Sequence, residues 1–125
     1  MAAGNPNPKK AKPLFWCRSS KKSYDKFPEE VQDDAGYELD RVQRGKDPFN
    51  FNSLRGMGSG VMEIKADHAG DTYRAVYVAK FEEAVYVLDA FQKKSPSGSS
   101  LPRNVRDRIE QRYKEVKNYR PAKRG

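Results

Sequence analysis

Residues 61–93 read VMEIKADHAGDTYRAVYVAKFEEAVYVLDAFQK, and this stretch decides the fold. Three runs rich in Val, Tyr and Ile lie within it, at 61–66, 72–81 and 84–91. β-Branched and aromatic side chains suit a pleated, half-buried surface. The breaks are the turn-rich Asp67-His68-Ala69-Gly70-Asp71 and the pair Glu82-Glu83. Gaps this short cannot hold the crossover that a parallel pair needs, so the three runs predict antiparallel hairpins.

Working outward, residues 95–101 (SPSGSSL) predict a flexible loop, and Pro102 opens a helix over 104–118. Val105, Ile109, Tyr113 and Val116 fall on one face of it. Upstream, residues 46–60 (KDPFNFNSLRGMGSG) carry turn formers without periodicity and predict a loop. Before that loop, Pro28 suits the first turn of a helix that runs to a stop at Gly45, with Glu29 and Glu30 at its positive end. Val31, Ala35, Leu39 and Val42 form its buried stripe, and Asp33, Asp34, Asp40 and Arg41 its wet face. Ser19 and Ser20 can cap a shorter helix over Lys21–Phe27. Leu14-Phe15-Trp16-Cys17 suits a strand buried on both faces, which must join the sheet to satisfy its backbone. Two helices, three strands and a last helix indicate an α+β fold: a mainly antiparallel sheet of about four strands, packed by two N-terminal helices and one C-terminal helix.

The formal charge of the 125 residues is +8. Residues 1–13 carry +3 and read as a flexible basic leader, residues 103–125 carry +6, and the body between them is balanced at −1. Basic ends attract phosphate-rich partners without sequence specificity, although like-charge blocks also serve simply as solvated tails. No apolar run approaches the roughly 20 residues that span a bilayer, and no secretion-type apolar stretch opens the chain. One cysteine, Cys17, excludes an internal disulfide and a cysteine-rich zinc site. A cytoplasmic, reducing location is the expectation.

Three segments resemble the RelE/HigB toxins of toxin–antitoxin systems, in their phage-derived branch. Ser53-Leu54-Arg55-Gly56 followed by Val61-Met62-Glu63-Ile64 is similar to that family's x-L-K/R-G … W-E-I/L-R stretch. Asp71–Tyr77 (DTYRAVY) resembles its Y-R-V-L-Y strand, and Ala84–Ser95 (AVYVLDAFQKKS) its Y-V-L-H-A-F-x-K-K-[ST] strand and exit. Ser19–Lys22 and Phe27-Pro28 match the first-helix region more loosely. The resemblance covers about residues 14–115, in the family's order. Two positions depart from it: Met62 stands where an aromatic precedes the glutamate, and Asp89 where a histidine often precedes Ala-Phe. The second removes a possible acid–base group.

The resemblance implies a small RelE-like domain over 14–118, followed by a basic tail over 119–125. It further implies a toxin held inactive by a cognate helix-turn-helix antitoxin, cleaving messenger RNA at the ribosome and meeting operator DNA only through the antitoxin complex. A related branch poisons DNA gyrase instead, and a non-catalytic binding module could keep the same fold. Metal-free RNA cleavage uses the ribose 2′-hydroxyl as nucleophile, so the protein must take its proton, stabilise a phosphorane and protonate the leaving 5′-oxygen. Fixed donors aimed at developing charge are the general answer, and arginine suits the task through its planar, permanently charged fork. Arg74, mid-strand, and Arg55, on the loop, are the candidates; Lys93 and Lys94 leave the last strand and join the catalytic set. Phe91 shares a strand face with Lys93 and can stack a base. Lys21, Lys22 and Tyr73 complete the RNA-binding candidates.

Each candidate has a plainer alternative. Arg74 can pair with Glu63 across the first hairpin, because buried charges are normally paired. Arg55 can be solvent-exposed, and Phe91, Tyr73 and Tyr77 can be core. His68 reads as a solvated turn residue, and alone it cannot make a zinc site. No metal or other cofactor is expected. Gly56, Gly58 and Gly60 lack the context of a phosphate loop and supply flexibility. Cys17 reads as a small apolar residue.

Overall fold

The three strand runs of residues 61–93 form the centre of a five-stranded sheet in the computed structural model, which describes residues 11–93 and 101–124. In chain order the elements are β1 (Leu14–Trp16), α1 (Ser20–Asp25), α2 (Glu29–Gln43), β2 (Phe51–Ser53), β3 (Val61–His68), β4 (Asp71–Val78), β5 (Val85–Lys93), α3 (Arg103–Tyr119) and α4 (Pro121–Arg124). The strands lie in the order β1-β5-β4-β3-β2, antiparallel except for β1, which runs parallel to β5. The α+β architecture is therefore as the sequence predicts.

The differences have local causes. β2 falls inside the segment 46–60 that predicts a loop; three residues with Phe51 alone apolar show no period, yet they pair with the outer edge of β3. The turn of the first hairpin shrinks to Ala69 and Gly70, both at positive φ (52° and 86°), so His68 and Asp71 are paired strand residues. Two left-handed residues match the twist of a two-residue hairpin. β1 is an edge strand whose residues are only half-buried, so it is not enclosed on both faces. Residues 11–13, at the end of the basic leader, are held down: the Lys12 backbone N–H donates to Gln43 O (2.8 Å) and its ammonium to Phe81 O (2.9 Å). Within the basic tail, 121–124 form α4.

Strand alternation assigns the two faces. On one, Ile64, Ala75, Tyr77, Val85 and Val87 pack against Leu39 and Val42 of α2, while Ala66, Tyr73 and Ala90 pack against Tyr24 of α1, Phe27, and Val31 and Ala35 of α2. On the other, Val61, Val76, Val78, Tyr86 and Leu88 meet Val105, Ile109, Tyr113 and Val116 of α3. Both helical stripes are the ones the sequence predicts. No helix is long and apolar enough to cross a membrane among the described residues.

Candidate functional site

The α3-side face of the sheet changes character along its length. Beyond the apolar core, a first row across the strands reads Asn52 (β2), Glu63 (β3), Val76 (β4) and Asp89 (β5). The next reads Lys65, Arg74 and Phe91, and the third Asp67, Thr72 and Lys93. Directly opposed residues share a face, so Arg74, Phe91, Lys65 and Lys93 stand together. All four are half-buried.

Asp89 reaches this face because β5 carries a bulge. The register steps between Val76–Asp89 and Tyr77–Val87, leaving Leu88 as the extra residue. Extra residues of this kind re-aim side chains next to them. The Asp89 carboxylate is 1% exposed, and α3 supplies its cations. Arg108 donates to Oδ2 from Nε (3.2 Å) and Nη2 (3.0 Å), and Arg112 Nη1 donates to Oδ1 (3.2 Å). Arg112 also donates to Leu88 O (2.8 Å) and to the Ser19 hydroxyl (3.0 Å), tying α3, β5 and the start of α1 together. Position 89 is thus a structural anchor, with both carboxylate oxygens engaged by arginine.

The second buried carboxylate, Glu63, is 2% exposed and forms an ion pair with Arg74 Nη1, the pairing across the first hairpin that the sequence offers as the plainer reading. Asn52 Nδ2 lies 3.5 Å from the same oxygen, Glu63 Oε1. Glu63 Oε2 and Arg74 Nε are buried without a hydrogen-bond partner among the described residues. One arginine fork and one carboxylate therefore keep hydrogen-bonding capacity in hand, at a place where unmet polar groups are costly. The Arg74 side chain is 13% exposed and that of Glu63 only 3%, so it is the guanidinium of the pair that keeps an opening through which it can take a phosphate oxygen.

The remaining candidates divide clearly. Arg55 follows β2 on an exposed turn and makes no ion pair among the described residues. Its loop is fixed from α3: the Tyr113 hydroxyl donates to Ser59 O (2.9 Å) and accepts from Lys80 Nζ (3.0 Å). A Cβ on Gly58 would sit 2.3 Å from the Tyr113 ring, so that glycine's role is close approach as well as freedom. Tyr73 lies on the opposite face, 8% exposed, its ring edge-on to Phe27 at 5.0 Å. It is core, as is Tyr77. Lys21 and Lys22 are exposed on α1, in the layer across the sheet from Arg74; Lys21 pairs with Asp25 at 2.8 Å. His68 also points away from the cationic rows, with Nδ1 4.0 Å from Glu30 Oε2. Lys94 lies outside the described residues.

Among the described residues, no three His, Cys, Asp or Glu side chains converge as a metal site would require. A cleft of about 280 Å³ between β1 and α3 is lined by Phe15, Trp16, Cys17, Arg112, Val116 and Tyr119 among others, and by no residue of the cationic rows. Burial pushes the Cys17 thiol there up to about 12, so it stays protonated and inert at neutral pH.

Residues 22–114 match the family described as phage-derived protein Gp49-like (DUF891). The chain belongs to the Gp49-like family. The match runs from within α1 to most of the way along α3, so the cationic rows and the buried Glu63 and Asp89 lie inside the Gp49-like domain. Its phage-derived character is compatible with a toxin-like protein. Among curated proteins, none matches the chain. Sequence reasoning missed Lys65, Asn52 and the Asp89–Arg108–Arg112 cluster. Lys65 was open to discovery by counting the antiparallel register from Arg74, whereas Asp89 needed the bulge.

Proposed function

We propose that this Gp49-like chain is the toxin of a toxin–antitoxin pair, of the RelE/HigB kind, and that it cuts messenger RNA at the ribosome without a metal. The observation that carries this reading is the row Lys65–Arg74–Phe91 with Lys93 beside it, three cations and one aromatic ring on a single half-buried sheet face. Arg74 stabilises the phosphorane through the part of its fork that Glu63 leaves free. Glu63, buried beneath it, holds Arg74 in place, and the 2′-hydroxyl proton passes to one lysine of these rows while the other serves as the acid. Because Asp89 is held by two arginines, the leaving 5′-oxygen takes its proton from a lysine, Lys65 or Lys93. Phe91 stacks a base, a contact worth roughly 1–3 kcal/mol. Arg55 approaches the flanking phosphate. A small helix-turn-helix antitoxin covers these cations, and operator DNA is met only through that complex.

Induced expression in bacteria tests this reading. Growth arrest with messenger RNA cut inside open reading frames is the expected result, and Arg74→Lys, which keeps a cation for Glu63 but loses the fork, should abolish both. A folded Arg74→Lys variant that remains fully toxic, or arrest with messenger RNA intact and DNA damaged, contradicts it.

A further inference from the structure

α2 carries a surface across the sheet from the cationic rows. Tyr37 and Phe49 are 58% and 70% exposed, and their rings stack on each other at 6.3 Å and 15°. The Arg41 guanidinium lies 4.0 Å from the Phe49 ring centre, and Arg41 Nε donates to Asp47 O at 2.9 Å. Beneath them the buried Glu38 carboxylate accepts the backbone N–H of Phe49 (2.9 Å) and of Asn50 (2.9 Å). A buried carboxylate is thus committed to presenting an aromatic side chain to solvent. Exposed, immobilised aromatic and arginine side chains are the anchors that interfaces use.

The charges around Tyr37 are ordered. At helical spacing its stripe reads Glu30, Asp33, Asp34, Tyr37, Asp40, Arg41, Arg44. The half before Tyr37 is acidic. The half after it holds Arg41 and Arg44, with Lys46 beyond; Asp40 is paired to Arg44 at 2.9 Å. An antiparallel copy of the same helix, related by a two-fold axis at Tyr37, sets each acidic half against the other's basic half. A two-fold contact must be self-complementary in this way. The acids before Tyr37 also disfavour a nucleic-acid occupant.

We infer that the occupant of this surface is a second copy of the chain, docked α2 against α2 in antiparallel fashion, with Tyr37 and Phe49 at the centre and Asp33/Asp34 facing Arg41/Arg44. One helix face and one loop make less than the roughly 800 Å² per partner of a standard interface, so the dimer is weak and salt-sensitive. It leaves the α3-side face of both copies open. The inference does not depend on the toxin reading.

Sedimentation velocity over a concentration series tests it, with circular dichroism and thermal melts to confirm folding. The full chain should dimerise at low salt, with a dissociation constant that rises about tenfold or more between 50 mM and 500 mM salt. Tyr37→Ser with Phe49→Ser should be monomeric. Asp33→Lys with Asp34→Lys, and separately Arg41→Glu with Arg44→Glu, should each be monomeric alone, and an equimolar mixture of the two should restore the dimer. A monomeric wild-type chain at several hundred micromolar, a dimer indifferent to the serine substitutions, or a mixture that stays monomeric overturns the inference.

Discussion

Arg74 and Glu63 are bound to each other's fate. Each is buried enough to need the other, and Arg74→Ala leaves a carboxylate that is 2% exposed without its cation. Breaking a buried pair from one side costs about 3–5 kcal/mol, whereas replacing both partners with apolar or neutral groups of similar shape costs far less. Chemical denaturation should therefore show Arg74→Ala severely destabilised and Arg74→Met with Glu63→Gln close to wild type. Glu83 supplies a different residue-scale test. Its carboxyl is held down to about 2, first by hydrogen bonding to the Arg120 guanidinium, which lies in a bidentate pairing with Nη2 at 2.5 Å, and then by the Tyr86 hydroxyl. The charged form is favoured in the folded state, so this contribution is complete above the ordinary carboxylate range and disappears as pH falls from about 4.5 toward about 2. The stability gap between wild type and Glu83→Gln should be widest near pH 6 and close on acidification; a gap that is constant with pH contradicts the assignment.

At the scale of elements, the long helices and the central strands were legible because burial repeats along them. Val31, Ala35, Leu39 and Val42 are all buried, as are Val105, Ile109, Tyr113 and Val116. What hid from the sequence had no period to reveal it. β2 exists because the edge of β3 offers unpaired backbone groups, not because Phe51-Asn52-Ser53 favours a strand. The bulge at Leu88 interrupts the alternation of β5, so Asp89 could be read neither as facing α3 nor as its anchor. Phe91 and Lys93 sharing a face with Arg74 followed from alternation beyond the bulge, while Tyr73, one residue from Arg74, necessarily turned to the core. The loop 54–60 depends on α3 in a way that only packing shows. Gly58 sits at φ 139°, and any Cβ there collides with Tyr113. Gly58→Ala should lower stability by about 1–3 kcal/mol, the usual cost of overpacking, and a thermal melt within a degree of wild type would refute the contact's importance.

For the whole molecule, the sheet separates two surfaces with different chemistry. The α1/α2 side carries acids around an exposed aromatic pair, and the α3 side carries the cations Lys65, Arg74 and Lys93 beside Phe91. The +8 charge first suggested a phosphate-rich partner, but the basic ends are its least specific part; the cations inside the 22–114 match are what give the proposed activity a mechanism. That mechanism fixes the products. Attack of the 2′-hydroxyl on the neighbouring phosphorus breaks the P–O5′ bond, so it leaves a 2′,3′-cyclic phosphate on one fragment and a 5′-hydroxyl on the other. Purified protein added to ribosomes carrying a defined messenger RNA, with the new ends mapped chemically, tests the account most directly. Cyclic-phosphate and 5′-hydroxyl ends, lost in Arg74→Lys, are the predicted result; intact RNA, or ends bearing a 5′-phosphate, would contradict it.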